Sequence, residues 1–171
     1  MYTEGIKANI KLAPEIYPGW KVMVWKDPIP GIPDGKFWRF LAADLPEAEY
    51  VIFRDADSRL NWKEKAAVDE WIASGHKAHL MQDHNDQSKY PILAGMWGIK
   101  GGIIKMRELM KGWTFTMQYG NDEMFLRDKV WPLIIKDHIK HGIKGQPWPH
   151  HRSCSGFIGQ KHQANGVPLW Q

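Results

Sequence analysis

Two carboxylates one residue apart, Asp55 and Asp57, follow the apolar run Tyr50-Val51-Ile52-Phe53 in the stretch YVIFRDADSRL. A short apolar run that stops at charged residues reads as a buried strand reaching solvent. In an extended chain, positions two apart project to the same side, so both carboxylates can converge on one cation. Hard oxygen donors suit Mg²⁺ or Mn²⁺ rather than a thiolate-bound metal. A divalent ion held this way bridges phosphates and neutralises a departing diphosphate. An Asp-Ser turn explains the same letters without any chemistry, since short acidic pairs are common by chance.

The chain around this pair has 171 residues, 43% of them hydrophobic and 25% charged, with a net charge of +4. That is enough for one domain, 1–171, with a real core. No apolar run approaches the ~20 residues of a membrane span. The N-terminus lacks a basic segment followed by an apolar one, and the lone Cys154 excludes an internal disulfide. These features lead to the expectation of a cytoplasmic protein without a membrane span. The charge suits an anionic small ligand; its basic residues form no long run, so no nucleic-acid partner is expected. The ten tryptophans are assigned mainly to the core.

The elements that must position the aspartates alternate between strand and helix. Thr3 can cap a helix through EGIKANIKLAPEIY, with Ile6, Ile10 and Ala13 on one face and Pro14 as a break. KVMVWK (21–26) and KAHLMQ (77–82) read as strands, and KFWRFLAADL (36–45) as a short helix. WKEKAAVDEWIASG (62–75) is the clearest helix, capped by Asn61 and stopped by Gly75. ILAGMWGIKGG (92–102) is apolar and Gly-rich. A small helix over 103–111 and a longer one over 121–136, kinked at Pro132, come next; the tail from 137 gives little regular signal. This alternation predicts an α/β sandwich with a mostly parallel sheet. Ligands of such sheets bind beyond the carboxyl ends of the strands, where Asp55 and Asp57 fall.

The longer segment FWRFLAADLPEAEYVIFRDADSRL (37–60) resembles the core of GT-A-fold glycosyltransferases, particularly the glycogenin-like and galactosyltransferase-like retaining enzymes: an Arg, a Leu-Pro, then an apolar strand ending in D-x-D. The resemblance implies a single-domain, Rossmann-like GT-A sandwich and a nucleotide-sugar donor, first of all a UDP-sugar, with an unknown acceptor. By the same resemblance Asp55 and Asp57 hold Mn²⁺ or Mg²⁺ on the diphosphate, and Arg39 reaches the donor's sugar or phosphates. ILAGMWG resembles the segment that lays an Ala-Gly backbone, here Ala94-Gly95, beside the donor sugar, although Leu93 stands where the family often has Asn. YGNDEMFL (119–126) resembles the family's acidic helix start, with Asp122 at the sugar hydroxyls and Glu123 near the anomeric carbon. HGIKGQPW (141–148) resembles a His-Gly-Lys-Pro-Trp motif, one residue short. It implies His141 as third metal ligand; Gln146 replaces the phosphate-binding lysine, with Lys144 as a substitute. Family members open with a strand that cradles the base. This chain starts at the following helix, so a sandwich truncated at its N-terminus is expected.

Other candidates keep two readings each. Asp83 and His84 follow a strand; one can serve as a base or touch the acceptor, or both belong to a solvated loop. Trp97 beside Gly95 is a candidate sugar-stacking ring or a core residue. His150 and His151, beside Arg152, are a second source of metal or phosphate contacts, or plain surface. Cys154 has no paired base and reads as inert. Two other functions compete. A haloacid-dehalogenase-like phosphohydrolase also ends a strand in D-x-D and would use Asp55 as its nucleophile. A non-catalytic sugar-binding module would explain the tryptophans but is ordinarily all-β.

Overall fold

The computed structural model describes residues 2–152 and 157–163. Four strands, β1 (Tyr50–Arg54), β2 (Ala78–Gln82), β3 (Met96–Lys100) and β4 (His138–Gly142), form one sheet in the order β1-β3-β2-β4. β3 pairs antiparallel with β1 and with β2, and β2 pairs parallel with β4. β1, β2 and β4 therefore point the same way, with β3 reversed between the first two. The sheet is mixed rather than mostly parallel. Alternating apolar residues report a strand's two faces and not its direction, which is why the reversal was hidden.

Helices flank this sheet: α1 (Tyr2–Ile16), α2 (Trp62–Ser74), α3 (Met106–Met110), α4 (Asn121–Phe125) and α5 (Trp131–Ile134). A 3₁₀ helix covers Gly35–Asp44, and a π turn, Leu126–Val130, joins α4 to α5. On one face, Phe53 of β1 stacks on Trp97 of β3 at 4.4 Å, and both meet Phe40 of the 3₁₀ helix edge-on. Phe37, Phe125 and Leu126 complete that core. On the other face, Tyr50 and Ile52 pack with Trp71 and Val68 of α2 and with Tyr17. Each fully buried side chain of this kind contributes about 1.5–3 kcal/mol.

The local signals of α2 act as expected. Asn61 Oδ1 accepts from the Glu64 N–H at 3.0 Å, and Gly75 ends the helix at φ +75°. Pro14 lies inside α1 without ending it. Of the face predicted for α1, Ala13 is buried but Ile10 is exposed, and Ile16 is buried beside Tyr17. Pro132 sits in the first turn of α5, where its missing N–H costs no hydrogen bond, and the π turn before it absorbs the register change. Residues 21–26 are not a strand: they pair with no strand among the described residues, and Val22 and Met23 are each 48% exposed. The tail does contain one, β4, beside β2.

The carboxyl ends of β1, β2 and β4 and the amino end of β3 share one edge of the sheet. This places Asp55, Asp83, Gly142 and Gly95 along the same rim. Among the described residues no helix is long and apolar enough to cross a membrane.

Candidate active site

The chain beyond β1 does not stay extended. Ser58 closes a turn over the two aspartates, its N–H donating to the Asp55 carbonyl at 3.3 Å and its hydroxyl at 2.9 Å. The turn is held from outside by α1. Asn9 donates to the Ser58 carbonyl at 3.0 Å and accepts from the Leu60 N–H at 3.2 Å. Gly5 lies so close that any Cβ there would strike the Ala56 carbonyl. The Asp-Ser turn is thus real, and it fixes Asp55 and Asp57 differently from an extended strand.

Asp55 faces the 3₁₀ helix. Its carboxylate pairs with Nη1 of Arg39, whose Nη2 donates to Asp122 Oδ2 at 3.1 Å. One guanidinium thereby joins the end of β1 to the start of α4. Burial works against the Arg39 charge, but Asp55, then Asp122 and Glu123, outweigh it and hold the group above its usual range. Gly95 presses on Asp55 from β3's side: a Cβ there would collide with the carboxylate. Ala94 before it is buried. Arg39, Asp55, Gly95 and Asp122 therefore meet in one place, with Glu123 beside them.

Gly120, at φ +82°, turns the chain into α4. Asn121 Oδ1 secures the preceding loop by accepting from the Thr116 N–H at 3.2 Å. Asp122 is buried, and Glu123 is half-buried next to it. Burial first, then the neighbouring Asp122 carboxylate, raises the Glu123 pKa to about 7. Between the ordinary carboxylate range and about 7, the folded protein holds this proton and the unfolded chain does not. Stability should therefore fall as pH rises through that window and level off above it. Glu123→Gln should flatten this slope and raise Tm at pH 8, read by melting curves from pH 5 to pH 8; an unchanged slope refutes the assignment.

Asp57 lies deeper, its side chain 7% exposed. No donor hydrogen-bonds its carboxylate among the described residues; its partner is the Lys161 ammonium at 3.8 Å. A buried carboxylate calls for a cation beside it, and the Lys161 ammonium meets that need only at long range. Among the described residues no three His, Cys, Asp or Glu side chains could hold a metal on their own. Two carboxylates suit an ion that takes its other ligands from phosphate and water, as Mg²⁺ commonly does.

The remaining predicted residues lie elsewhere. His141 is sealed in the sheet: its Nδ1 shares a hydrogen bond with His79 Nε2 at 2.9 Å, and its ring stacks on Trp148. Burial lowers both histidines' pKa values, leaving them neutral, so the 3.5 Å approach of Glu70 to His141 Nε2 is not an ion pair. Its two ring nitrogens thus face His79 and Glu70 rather than the aspartate turn. Trp97 is 0% exposed, stacked on Phe53 as core, because it lies opposite Phe53 on adjacent strands. Lys144 is exposed on the turn after β4, at φ +54°. Asp83 is occupied: Lys63 Nζ contacts both its oxygens, at 2.6 and 2.7 Å, and the Ile158 N–H donates to it at 2.9 Å. His84 stacks on Phe157 and accepts from the Asp86 N–H. His151 bonds the Arg152 carbonyl, Arg152 covers Trp62, and His150 is exposed. Cys154 lies outside the described residues. A cleft of about 510 Å³ opens beside Asp83 and Trp148, at the ends of β2 and β4. Sequence reasoning missed Lys161, which no local pattern marks.

No protein-family model matches the sequence, and no curated protein does. Among solved structures, the chain is similar to a glycosyltransferase involved in the glycosylation of the major capsid of PBCV-1. The TM-score is 0.55 at 16% identity, over 83% of this chain and 76% of that one. With its four-stranded mixed sheet flanked by helices, the chain has a mixed α/β fold of glycosyltransferase-like form.

Proposed function

We propose that this protein is a metal-dependent glycosyltransferase that moves a hexosyl group from a nucleoside-diphosphate sugar, first of all a UDP-sugar, to an acceptor. The observation that carries this reading is the joining of Asp55 and Asp122 through Arg39 at the carboxyl edge of a glycosyltransferase-like sheet. Asp55 and Asp57 would hold Mn²⁺ or Mg²⁺. That ion, when bound, neutralises charge on the departing diphosphate. Arg39 adds a fixed positive charge beside the same phosphates and orients both carboxylates. The Ala94-Gly95 backbone lies against Asp55 and lines the donor's sugar. Asp122 accepts from sugar hydroxyls. Glu123, as a carboxylate, stabilises the positive charge that grows at the anomeric carbon; the resemblance to retaining enzymes favours retention, and an inverting course would use Asp83, Asp122 or Glu123 as its base. The phosphohydrolase reading has less support: the cation paired with Asp55 is Arg39, and no lysine is paired with it among the described residues.

The test is a panel of nucleotide sugars with Mn²⁺, scored by released nucleoside diphosphate. Release from at least one donor, lost when EDTA is added, is the expected result. Release from none, with phosphate liberated from p-nitrophenyl phosphate, overturns the reading in favour of the phosphohydrolase.

A further inference from the structure

The segment 157–163 lies across the rim between the ends of β1 and β2. The Ile158 N–H donates to Asp83 Oδ2 at 2.9 Å, and the Ile158 carbonyl accepts from Gln87 Nε2 at 2.8 Å. The His162 N–H donates to the Asp57 carbonyl at 2.9 Å. Gly159, at φ +80°, lies so close to Met96, the first residue of β3, that a Cβ would strike its sulfur. A backbone fastened at both flanks thus carries Lys161 to the aspartate turn. Its ammonium stands 3.8 Å from Asp57 Oδ2, too far for a hydrogen bond, and its side chain remains 40% exposed. Among the described residues Asp57 is its only ionic partner and no acceptor hydrogen-bonds its ammonium, which leaves donors open to a ligand.

We infer that Lys161 is the chain's own diphosphate-binding cation, taking the place that the sequence motif around Gln146 leaves open. The inference rests on the proposed function, since it names the group that receives the donor's phosphates. Lys144 lacks this placement. It sits on an exposed turn without an ion pair to either aspartate, while Lys161 is already at the carboxylate that would carry the metal. An ammonium beside Asp57 also competes with a divalent ion for that carboxylate. When a diphosphate arrives with its metal, Lys161 is close enough to exchange one anionic oxygen for another, and a charge-assisted bond to phosphate replaces a long ion pair.

The experiment uses inorganic pyrophosphate, which needs no knowledge of the base, with calorimetry on the full chain in the presence of Mn²⁺. Lys161→Ala should weaken pyrophosphate binding about tenfold or more, and Lys161→Arg should restore most of it. Mn²⁺ affinity without pyrophosphate, read by electron paramagnetic resonance, should be unchanged or tighter in Lys161→Ala, because a competing cation is gone. A purely structural role would lower both affinities together, and that result overturns the inference. So does pyrophosphate binding within twofold of wild type. If the wild-type chain binds neither pyrophosphate nor any of UDP, GDP and ADP, the proposed function itself fails, and the role of Lys161 with it.

Discussion

Asp57→Ala is expected to reduce nucleoside-diphosphate release by about 10³-fold or more while leaving the protein folded. A bound divalent ion supplies several kcal/mol of charge stabilisation, and each 1.36 kcal/mol is tenfold in rate. The fold should survive because the turn does not depend on this side chain. It is closed by Ser58 onto the Asp55 carbonyl and pinned by Asn9, and the hydrogen bond from the 157–163 segment goes to the Asp57 carbonyl rather than its carboxylate. The cation left behind, Lys161, is 40% exposed and remains solvated. Turnover on the donor found in the screen, with circular dichroism of the variant, checks both halves. Asp57→Asn sharpens the comparison, because it keeps the shape and one oxygen donor but removes the charge. Activity within tenfold of wild type in both variants would end the metal argument at Asp57.

The sequence made this pair visible because its signal is local: an apolar run, an abrupt stop, and two acids. The same holds for α2, whose Asn61 cap and Gly75 stop are short-range chemistry. What local pattern does not carry is set by distant partners. Residues 21–26 have the composition of a strand, but a strand needs an edge to pair with, and among the described residues theirs has no partner. HIKHG looked irregular, since Ile139 is its one aliphatic residue, yet a parallel ladder to β2 makes it β4. Trp97 follows Gly95 in the chain and so seemed close to the donor. Its partner across the ladder is Phe53, one step in from the rim, and the ring stacks there in the core instead. His141 lies on the rim strand, but its ring turns toward His79 and Trp148. The resemblance assigns Arg39 to the donor's sugar or phosphates; its ion pair with Asp55 is a contact that no local pattern announces. Lys161 reaches Asp57 only through the path of the tail, which no spacing rule encodes.

Glu64→Ala should destabilise the protein by about 3–5 kcal/mol, the cost of removing one partner from a buried ion pair. Glu64 is 2% exposed and accepts from Arg54 Nε at 3.0 Å and from the Tyr17 hydroxyl at 2.9 Å. Three elements meet at this carboxylate: the last residue of β1, the first turn of α2, and the residue after α1. Burial opposes the Arg54 charge, but Glu64 outweighs it and holds the guanidinium above its usual range. Without Glu64, Arg54 retains the carbonyls of Phe53 and Trp97 as acceptors, its charge is uncompensated, and the Tyr17 hydroxyl loses its acceptor. Native stabilities are about 5–15 kcal/mol, so this single change removes a large share. Glu64→Gln keeps both acceptor contacts and should cost less, which separates the charge from the hydrogen bonds. Urea denaturation of the three proteins gives the numbers, and a loss below about 1 kcal/mol for Glu64→Ala, the range of an exposed pair, would refute the buried-pair account. Because Arg54 immediately precedes Asp55, the same variant should also loosen the aspartate turn. Its activity should therefore fall well below the melting transition, in proportion to how firmly α2 holds the end of β1.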